Sequence, residues 1–366
     1  MSVDHYFLLG RSGLRVSRLA LGTMNYGKAG FHAPFGKTED EARPIFRSYL
    51  EAGGNFVDTA DFYTAGQSEE ILGRLISESG SRDRVVLTTK VSHNTDPGNP
   101  NAGGNGRKHV IRAVEDSLRR LGTDYIDLLL LHVWDTLTPA EEVVRTFEDL
   151  VRSGKVRYGG FSDVPGWYAA RAQTYAEAHG LNPFVALQIP YSLLGREIEA
   201  EYVPLARNLG MGIMGWSPLG GGLLTGKYRT GDRGVTGDGR LGREGAVWTS
   251  PWQADERAWH IVGVLEEVAG GLGRSMAQTA LNWAVTQPGM GAAVVGASSV
   301  GQLEGNIAAL DFELPADARA RLDEAAAVAP RTVYAMFTTA YQANGINTGS
   351  KVGDKPRGYA PPLWHG

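Results

Sequence analysis

The sequence predicts an α/β protein built as a closed (β/α)8 TIM barrel, preceded by a β-hairpin and carrying long loops on its carboxyl face. Three observations carry that expectation. Short apolar runs alternate with helical patterns along most of the chain. The run Ile126-Asp127-Leu128-Leu129-Leu130-Leu131 is almost continuously apolar, as in parallel strands covered on both faces. No linker-like change of composition divides the 366 residues, so a single domain over 1–366 is expected, with an irregular tail over 330–366. Alternating strands and helices also allow an open doubly wound sheet, but the number of strand–helix units fits the closed barrel better.

The segment from Phe7 to Val16 reads as two short β-prone runs around a turn flanked by Gly10 and Gly13, a hairpin placed to cover the barrel's amino-terminal end. Strands are then expected at 19–21, 55–58, 85–89, 126–131, 158–161, 186–189, 211–216 and 293–295. Helices are expected at 38–52, 68–79, 108–121, 139–153, 166–179, 203–209, 255–270, 276–286 and 300–310. Their ends are punctuated: Pro139 opens one helix, and Gly53, Gly122 and Gly180 follow others. Two glycine-rich stretches, 92–106 and 228–251, follow predicted strands, on the face where a barrel carries its working loops. The tail ends in Pro361-Pro362-Leu363-Trp364 without periodicity, which leaves open a pocket cover, an oligomer contact or disorder.

Composition narrows the partners. The formal net charge is −4 and no long basic run occurs, so neither nucleic acid nor an anionic membrane is favoured, and a small molecule is the expected partner, with a homo-oligomer left open. The chain has no cysteine, which excludes disulfides, thiolate metal sites and a cysteine nucleophile; no metal site is expected. The start Met1-Ser2-Val3-Asp4-His5 lacks a basic end followed by an apolar stretch, and no apolar run is long enough to span a bilayer. A cytoplasmic location is the resulting expectation.

The strand ends carry the chemistry. The second run closes on Asp58, with Tyr63 just beyond; the third closes on Lys90 and the fourth on His132. Each has an ordinary structural use alone, as a turn cap, an amphipathic aromatic, a solvated cation or a hydrogen-bonded imidazole. A barrel brings all four to one rim. Together they suit proton donation to a carbonyl oxygen: a free tyrosine is too weak an acid at neutral pH, a Lys90 ammonium is expected to lower its pKa, and Asp58 would keep Lys90 charged and placed. A neutral His132 would orient the carbonyl. The set holds no nucleophile and no electron source, so a hydride carrier is implied.

These residues sit in segments that resemble the aldo-keto reductase superfamily, NAD(P)H-dependent carbonyl reductases on a (β/α)8 barrel. The resemblance runs from about Phe7 to Leu310. It rests on Gly22-Thr23-Met24, on Asp58 to Tyr63 continuing into Ser68-Glu69-Glu70-Ile71-Leu72-Gly73, and on Thr89-Lys90, Leu131-His132 and Gly160-Phe161-Ser162. It implies Tyr63 as general acid, tuned by Lys90 and Asp58, with His132 orienting the substrate. Members that reduce steroid double bonds carry glutamate in place of that histidine, so His132 points to carbonyl chemistry.

The same resemblance implies a cofactor site. It would comprise Gly22, Thr23, Met24 and Asp58; Ser162, Asp163 and Gln188 about the carboxamide; Trp216 stacked on the nicotinamide; and Ser217, Leu219, Gly222 and Lys227 at the pyrophosphate. Gly296, Ser298, Gln302 and Asn306 would hold the adenosine end. The family's usual asparagine after the serine is Asp163 here. An ionised carboxylate accepts from an amide NH2 but cannot donate to its oxygen. Ser298 and Gln302 stand where many members place a cation for the 2′-phosphate, so NADPH is expected from family habit, with NADH the alternative. Tyr26, Phe31, His93 and Trp134 are expected to line the substrate pocket, and a sugar-like or small aromatic carbonyl would suit it. A rival implication of the resemblance is a cofactor-binding regulatory subunit with little turnover, like the potassium-channel β subunits. A doubly wound dehydrogenase would need a glycine fingerprint after a strand, whereas Gly270-Gly271-Leu272-Gly273 follows a helix.

Overall fold

The computed structural model describes residues 2–231, 234–237, 241, 254–329, 332–351 and 353. Eight parallel strands close into a barrel in which neighbours along the chain are neighbours in space: β3 (Leu19–Gly22), β4 (Phe56–Asp58), β5 (Val86–Val91), β6 (Ile126–Leu131), β7 (Val156–Ser162), β8 (Phe184–Pro190), β9 (Gly212–Trp216) and β12 (Met290–Val295). Closure is made by β12, which pairs with β9 on one side and β3 on the other, with Val294 opposite Trp216 and Ala20. The eight predicted strands are these eight, within a residue or two at most ends. The closed order settles the choice against an open sheet.

The amino-terminal hairpin, β1 (Tyr6–Leu8) with β2 (Arg15–Ser17), plugs the barrel. Leu9 is fully buried beneath Ala20, Phe56, Val86, Leu128, Ala186 and Met214, which point into the barrel from six strands. The Arg11 backbone N–H donates to the Gly210 carbonyl at 2.7 Å, fixing the turn to the loop before β9. The barrel interior is thus filled with side chains and sealed at one end, leaving the carboxyl rim for chemistry.

Helices follow the expected places: α1 (Glu39–Glu51), α2 (Gln67–Ser79), α3 (Arg107–Leu121), α4 (Ala140–Arg152), α5 (Gly166–Ala178), α6 (Tyr202–Leu209), α7 (Glu256–Gly271), α8 (Met276–Val285) and α9 (Val300–Ile307). Thr38 and Glu41 close a reciprocal capping box at the start of α1. A further helix, α10 (Ala316–Ala325), is not among the expected ones because Leu322 is its single large apolar residue among small alanines and charges; it buries only Ala318 and Leu322 and packs on α7. The 92–106 stretch forms turns without strand or helix, while part of 228–251 forms a short antiparallel pair, β10 (Arg229–Gly231) with β11 (Gly234–Thr236). Short helical turns occupy 332–335 and 339–346, and the Pro361–Trp364 end lies outside the described residues. Among the described residues no helix is long and apolar enough to cross a membrane.

Candidate active site

At the carboxyl rim, β4 and β5 set the first contacts. The two strands pair with Asp58 opposite Thr88, so Lys90 projects one step beyond Asp58 on the neighbouring strand. The Lys90 ammonium, fully buried, donates to Asp58 Oδ1 at 2.5 Å and to the Thr59 carbonyl at 2.8 Å, and lies 3.2 Å from the Tyr63 hydroxyl. Burial opposes its charge, but Asp58 and Tyr63 outweigh burial and hold its pKa above the ordinary value. The other carboxylate oxygen, Asp58 Oδ2, accepts from Gln188 Nε2 at 2.7 Å. Asp58 is therefore clamped from two strands and points its charge at Lys90.

Tyr63 sits in a short 3-10 turn (Tyr63–Gly66) whose next residues, Thr64 and Ala65, adopt φ of 48° and 55°. Left-handed backbone at two consecutive residues with side chains is strained and must be held by its surroundings. The Thr64 hydroxyl donates to the Tyr26 carbonyl at 2.5 Å, which pins the turn. Burial, the largest influence on Tyr63, keeps its phenol above the usual pKa, with Lys90 pulling downward and Asp58 upward. The expected net lowering is not found, because burial outweighs the ammonium.

His132 completes the group, its ring edge-to-face with Tyr63 at 5.5 Å between centroids. Burial, then the charge of Lys90, pushes its pKa well below the ordinary value, so the imidazole is neutral at physiological pH, as expected. Its Nδ1 is buried and has no hydrogen-bond partner among the described residues. A buried acceptor lacking a partner costs less than a buried N–H lacking one, which favours the tautomer with the proton on Nε2. That nitrogen is then a donor to a carbonyl oxygen.

Aromatic rings wall the group. Phe62 stacks on His93 at 3.9 Å, and His93 meets His132 edge-to-face at 4.6 Å. His32, from the 3-10 turn Gly30–Phe35, lies 5.4 Å from Tyr63. The sequence points to its neighbour Phe31, whose side chain lies outside the described residues; a histidine inside a glycine-rich loop carries no periodic signal. Tyr26, also expected in the pocket, is a correction: it is fully buried in the core formed with Phe46, Tyr49 and Val57, behind the rim, and offers no surface to a ligand. Trp134 is half-buried and packs perpendicular to Trp167 at 5.4 Å.

Behind the rim the Ser68-Glu69 pair does structural work. Fully buried Glu69 accepts from Thr89 at 2.6 Å and from Arg120 at 2.7 Å, and Ser68 donates to the Thr23 carbonyl at 2.8 Å. Thr23 in turn donates to the Asp58 carbonyl at 3.0 Å. Gly22 lies against β12, where a Cβ would come 3.0 Å from Val294, and Met24 is half-buried beside it. These contacts lock the β4 end that carries Asp58.

A second polar track leads away along β7, β8 and β9. Ser162 and Gln188 are opposite each other and buried. Asp163, in a left-handed turn at φ 45°, accepts at Oδ1 from the Trp216 indole N–H at 3.1 Å, which fixes the orientation of the half-buried ring. Ser217 then leads into three consecutive left-handed glycines, Gly220, Gly221 and Gly222, at φ 57°, 65° and 102°, just after Leu219. Their three N–H groups are taken by the Ser217 carbonyl, the Ser217 hydroxyl and the Leu219 carbonyl, so the turn brings buried backbone close and the charge it offers an anion is that of Lys227. A Cβ on Gly222 would sit 3.3 Å from Lys227 Nζ, so the lysine stands over that turn. Further round, Gln302 Oε1 accepts the Ser298 backbone N–H at 2.8 Å at the start of α9, Gly296 is exposed, and Asn306 is nearly buried one turn on from Gln302. No group able to hold a metal occurs among the described residues. An oriented indole, buried amide and hydroxyl groups and a glycine turn under a lysine fit an extended nicotinamide dinucleotide. Of two cavities, one of about 350 Å³ lies between α1 and α9 and one of about 120 Å³ beside the hairpin turn; neither is lined by Lys90, Tyr63, His132 or the residues of this track, and the polar groups, not cavity size, mark the candidate site.

The model of the Aldo/keto reductase family matches residues 18–327. The chain is 37% identical over 319 residues to "Uncharacterized oxidoreductase YrpG" of Bacillus subtilis, covering 84% of this chain and 92% of that protein. It is 35% identical over 316 residues to "Norsolorinic acid reductase stcV" of Emericella nidulans, covering 85% and 78%. It is also 34% identical over 310 residues to "Probable voltage-gated potassium channel subunit beta" of rice, covering 84% and 91%.

Proposed function

Because the chain belongs to the aldo/keto reductase family, we propose that it reduces an aldehyde or ketone with hydride from a nicotinamide cofactor, and that Tyr63 supplies the proton. The observation that carries this reading is the contact of one buried ammonium, Lys90, with both Asp58 and the Tyr63 hydroxyl beside a neutral imidazole. When bound, the cofactor provides hydride to the carbonyl carbon. Tyr63 then gives its proton to the oxygen as negative charge grows there. Lys90 compensates the phenolate that remains, and Asp58 and Gln188 hold Lys90 in place. His132 Nε2 donates to the same carbonyl oxygen and fixes its direction.

The substrate reading is a small aromatic or sugar-like carbonyl. Phe62, His93 and Trp134 supply flat walls, which suit an aromatic one. NADPH is the proposed cofactor from family habit, with Lys227 at the pyrophosphate; Ser298 and Gln302 bring no cation to a 2′-phosphate, so NADH is the alternative. The rice relative supports a second reading, a regulatory subunit with little turnover. Stopped-flow oxidation of NADPH and of NADH with a panel of aromatic aldehydes and ketosugars tests the proposal. Carbonyl-dependent oxidation is the expected result. Tight cofactor binding with no oxidation by any carbonyl would favour the regulatory reading instead, and a higher kcat/KM with NADH would reverse the cofactor choice.

A further inference from the structure

Asp163 stands in the cofactor track with a charge where the family's usual residue is neutral. It follows Ser162 at the end of β7 and turns left-handed, a conformation that aspartate and asparagine tolerate about equally. The two side chains have the same shape, so the choice between them changes one charge and little else. The Asp163 carboxylate is partly open to solvent, and one oxygen is occupied by the Trp216 indole N–H at 3.1 Å, so it lies at the rim of the ring that would stack on a nicotinamide. The nearby groups that act on it are the Trp216 indole, the Ser162 hydroxyl and Lys90, and Lys90 is already committed to Asp58 at 2.5 Å. The phenols of Tyr63 on the β4 loop and Tyr202 on α6 both feel its charge. Asp163 is thus a partly desolvated anion whose cation is shared elsewhere.

The two redox forms of a nicotinamide differ in charge at this place. During reduction the carbonyl carbon takes the hydride, Tyr63 gives its proton to the carbonyl oxygen, and the ring that has lost the hydride carries one positive charge. An anion beside it attracts the oxidised form and leaves the neutral reduced form unaffected.

We propose that Asp163 makes this site favour the oxidised, cationic nicotinamide over the reduced one, which assists hydride departure during carbonyl reduction and slows release of the oxidised cofactor. This rests on the cofactor placement proposed above. Asp163 acts as an electrostatic positioning residue and need not touch the substrate.

The test is binding, measured by protein fluorescence quenching on the intact chain with NADP+ and NADPH, and with NAD+ and NADH. At pH 8 the ratio of the oxidised to the reduced Kd is expected to rise about tenfold in Asp163→Asn, or about 1.4 kcal/mol. In the unsubstituted protein the same ratio is expected to rise as pH falls through about 6, where burial has raised the Asp163 pKa, and to stay flat in the variant. Asp163→Gly, which also accepts the left-handed turn, removes the charge together with the Trp216 tether and gives a second comparison if the asparagine variant folds poorly. An unchanged ratio in both variants, with both cofactor forms still bound, overturns the inference and leaves the proposed function standing. Failure of all four dinucleotides to bind the unsubstituted protein overturns the function reading itself.

Discussion

Tyr63 concentrates the chemistry at the scale of single residues. Tyr63→Phe keeps the ring that packs against Phe62 and His32 and removes only the hydroxyl 3.2 Å from Lys90. Cofactor affinity is expected to stay near that of the unsubstituted chain while the single-turnover reduction rate falls at least about a hundredfold, the scale of a lost positioned acid; a rate within a few-fold of the original would overturn the role. His132 gives a pH signature. Its folded pKa lies well below the ordinary value of about 6.5, so below about pH 6.5 the unfolded chain takes up a proton that the folded chain refuses. Stability is therefore expected to fall as pH drops from about 6.5 toward the folded value, and His132→Gln should lose part of that acid sensitivity. Urea midpoints at about pH 7.5 and pH 5.5 check the sign. Asp58, Lys90 and His132 were legible because each ends an apolar run, and strand ends in a barrel face one rim. The Gln188–Asp58 bond, the Thr59 carbonyl under Lys90 and the placing of His32 were not legible, because they join strands and loops far apart in sequence.

Among the elements, β7 shows how tightly the barrel is drawn. A Cβ on Gly160 would come 2.5 Å from Leu130 Cδ2 and 2.8 Å from the Ala186 carbonyl, one a side chain and the other fixed backbone. Gly160→Ala is expected to destabilise the fold by about 1–3 kcal/mol, the cost of overpacking, and to disturb Ser162 two residues on. A denaturant midpoint unchanged from the original would show that the strand shifts freely there. At the other end of the scale of effects, Thr38→Ala removes half of the α1 capping box and should cost about 1 kcal/mol without altering the rim. Strands and most helices could be read because burial on both faces of a strand, or on one stripe of a helix, writes its period into the sequence. Helix α10 buries too little, and the 3-10 turns at Gly30–Phe35 and Tyr63–Gly66 are too short, to leave such a period.

For the whole molecule, the hairpin plug separates stability from chemistry. Leu9 fills the amino-terminal end of the barrel from the side opposite the rim. Leu9→Ala should cost about 2–5 kcal/mol of stability, as for a large buried side chain cut to a methyl, while leaving carbonyl reduction per folded molecule close to unchanged. Thermal melting paired with initial rates well below the melting temperature tests the separation; a lost rate in fully folded protein would tie the plug to the rim. The sequence by itself determined the barrel, the alternation that builds it and the four polar residues at its rim, since these follow from local periodicity and from where strands stop. Only the tertiary structure decided that Tyr26 belongs to the core, that Gln188 braces Asp58, that Trp216 is held by Asp163 and that burial outweighs Lys90 at the Tyr63 phenol. Those outcomes depend on distances between strands and on how far water is excluded, and neither quantity exists until the barrel closes.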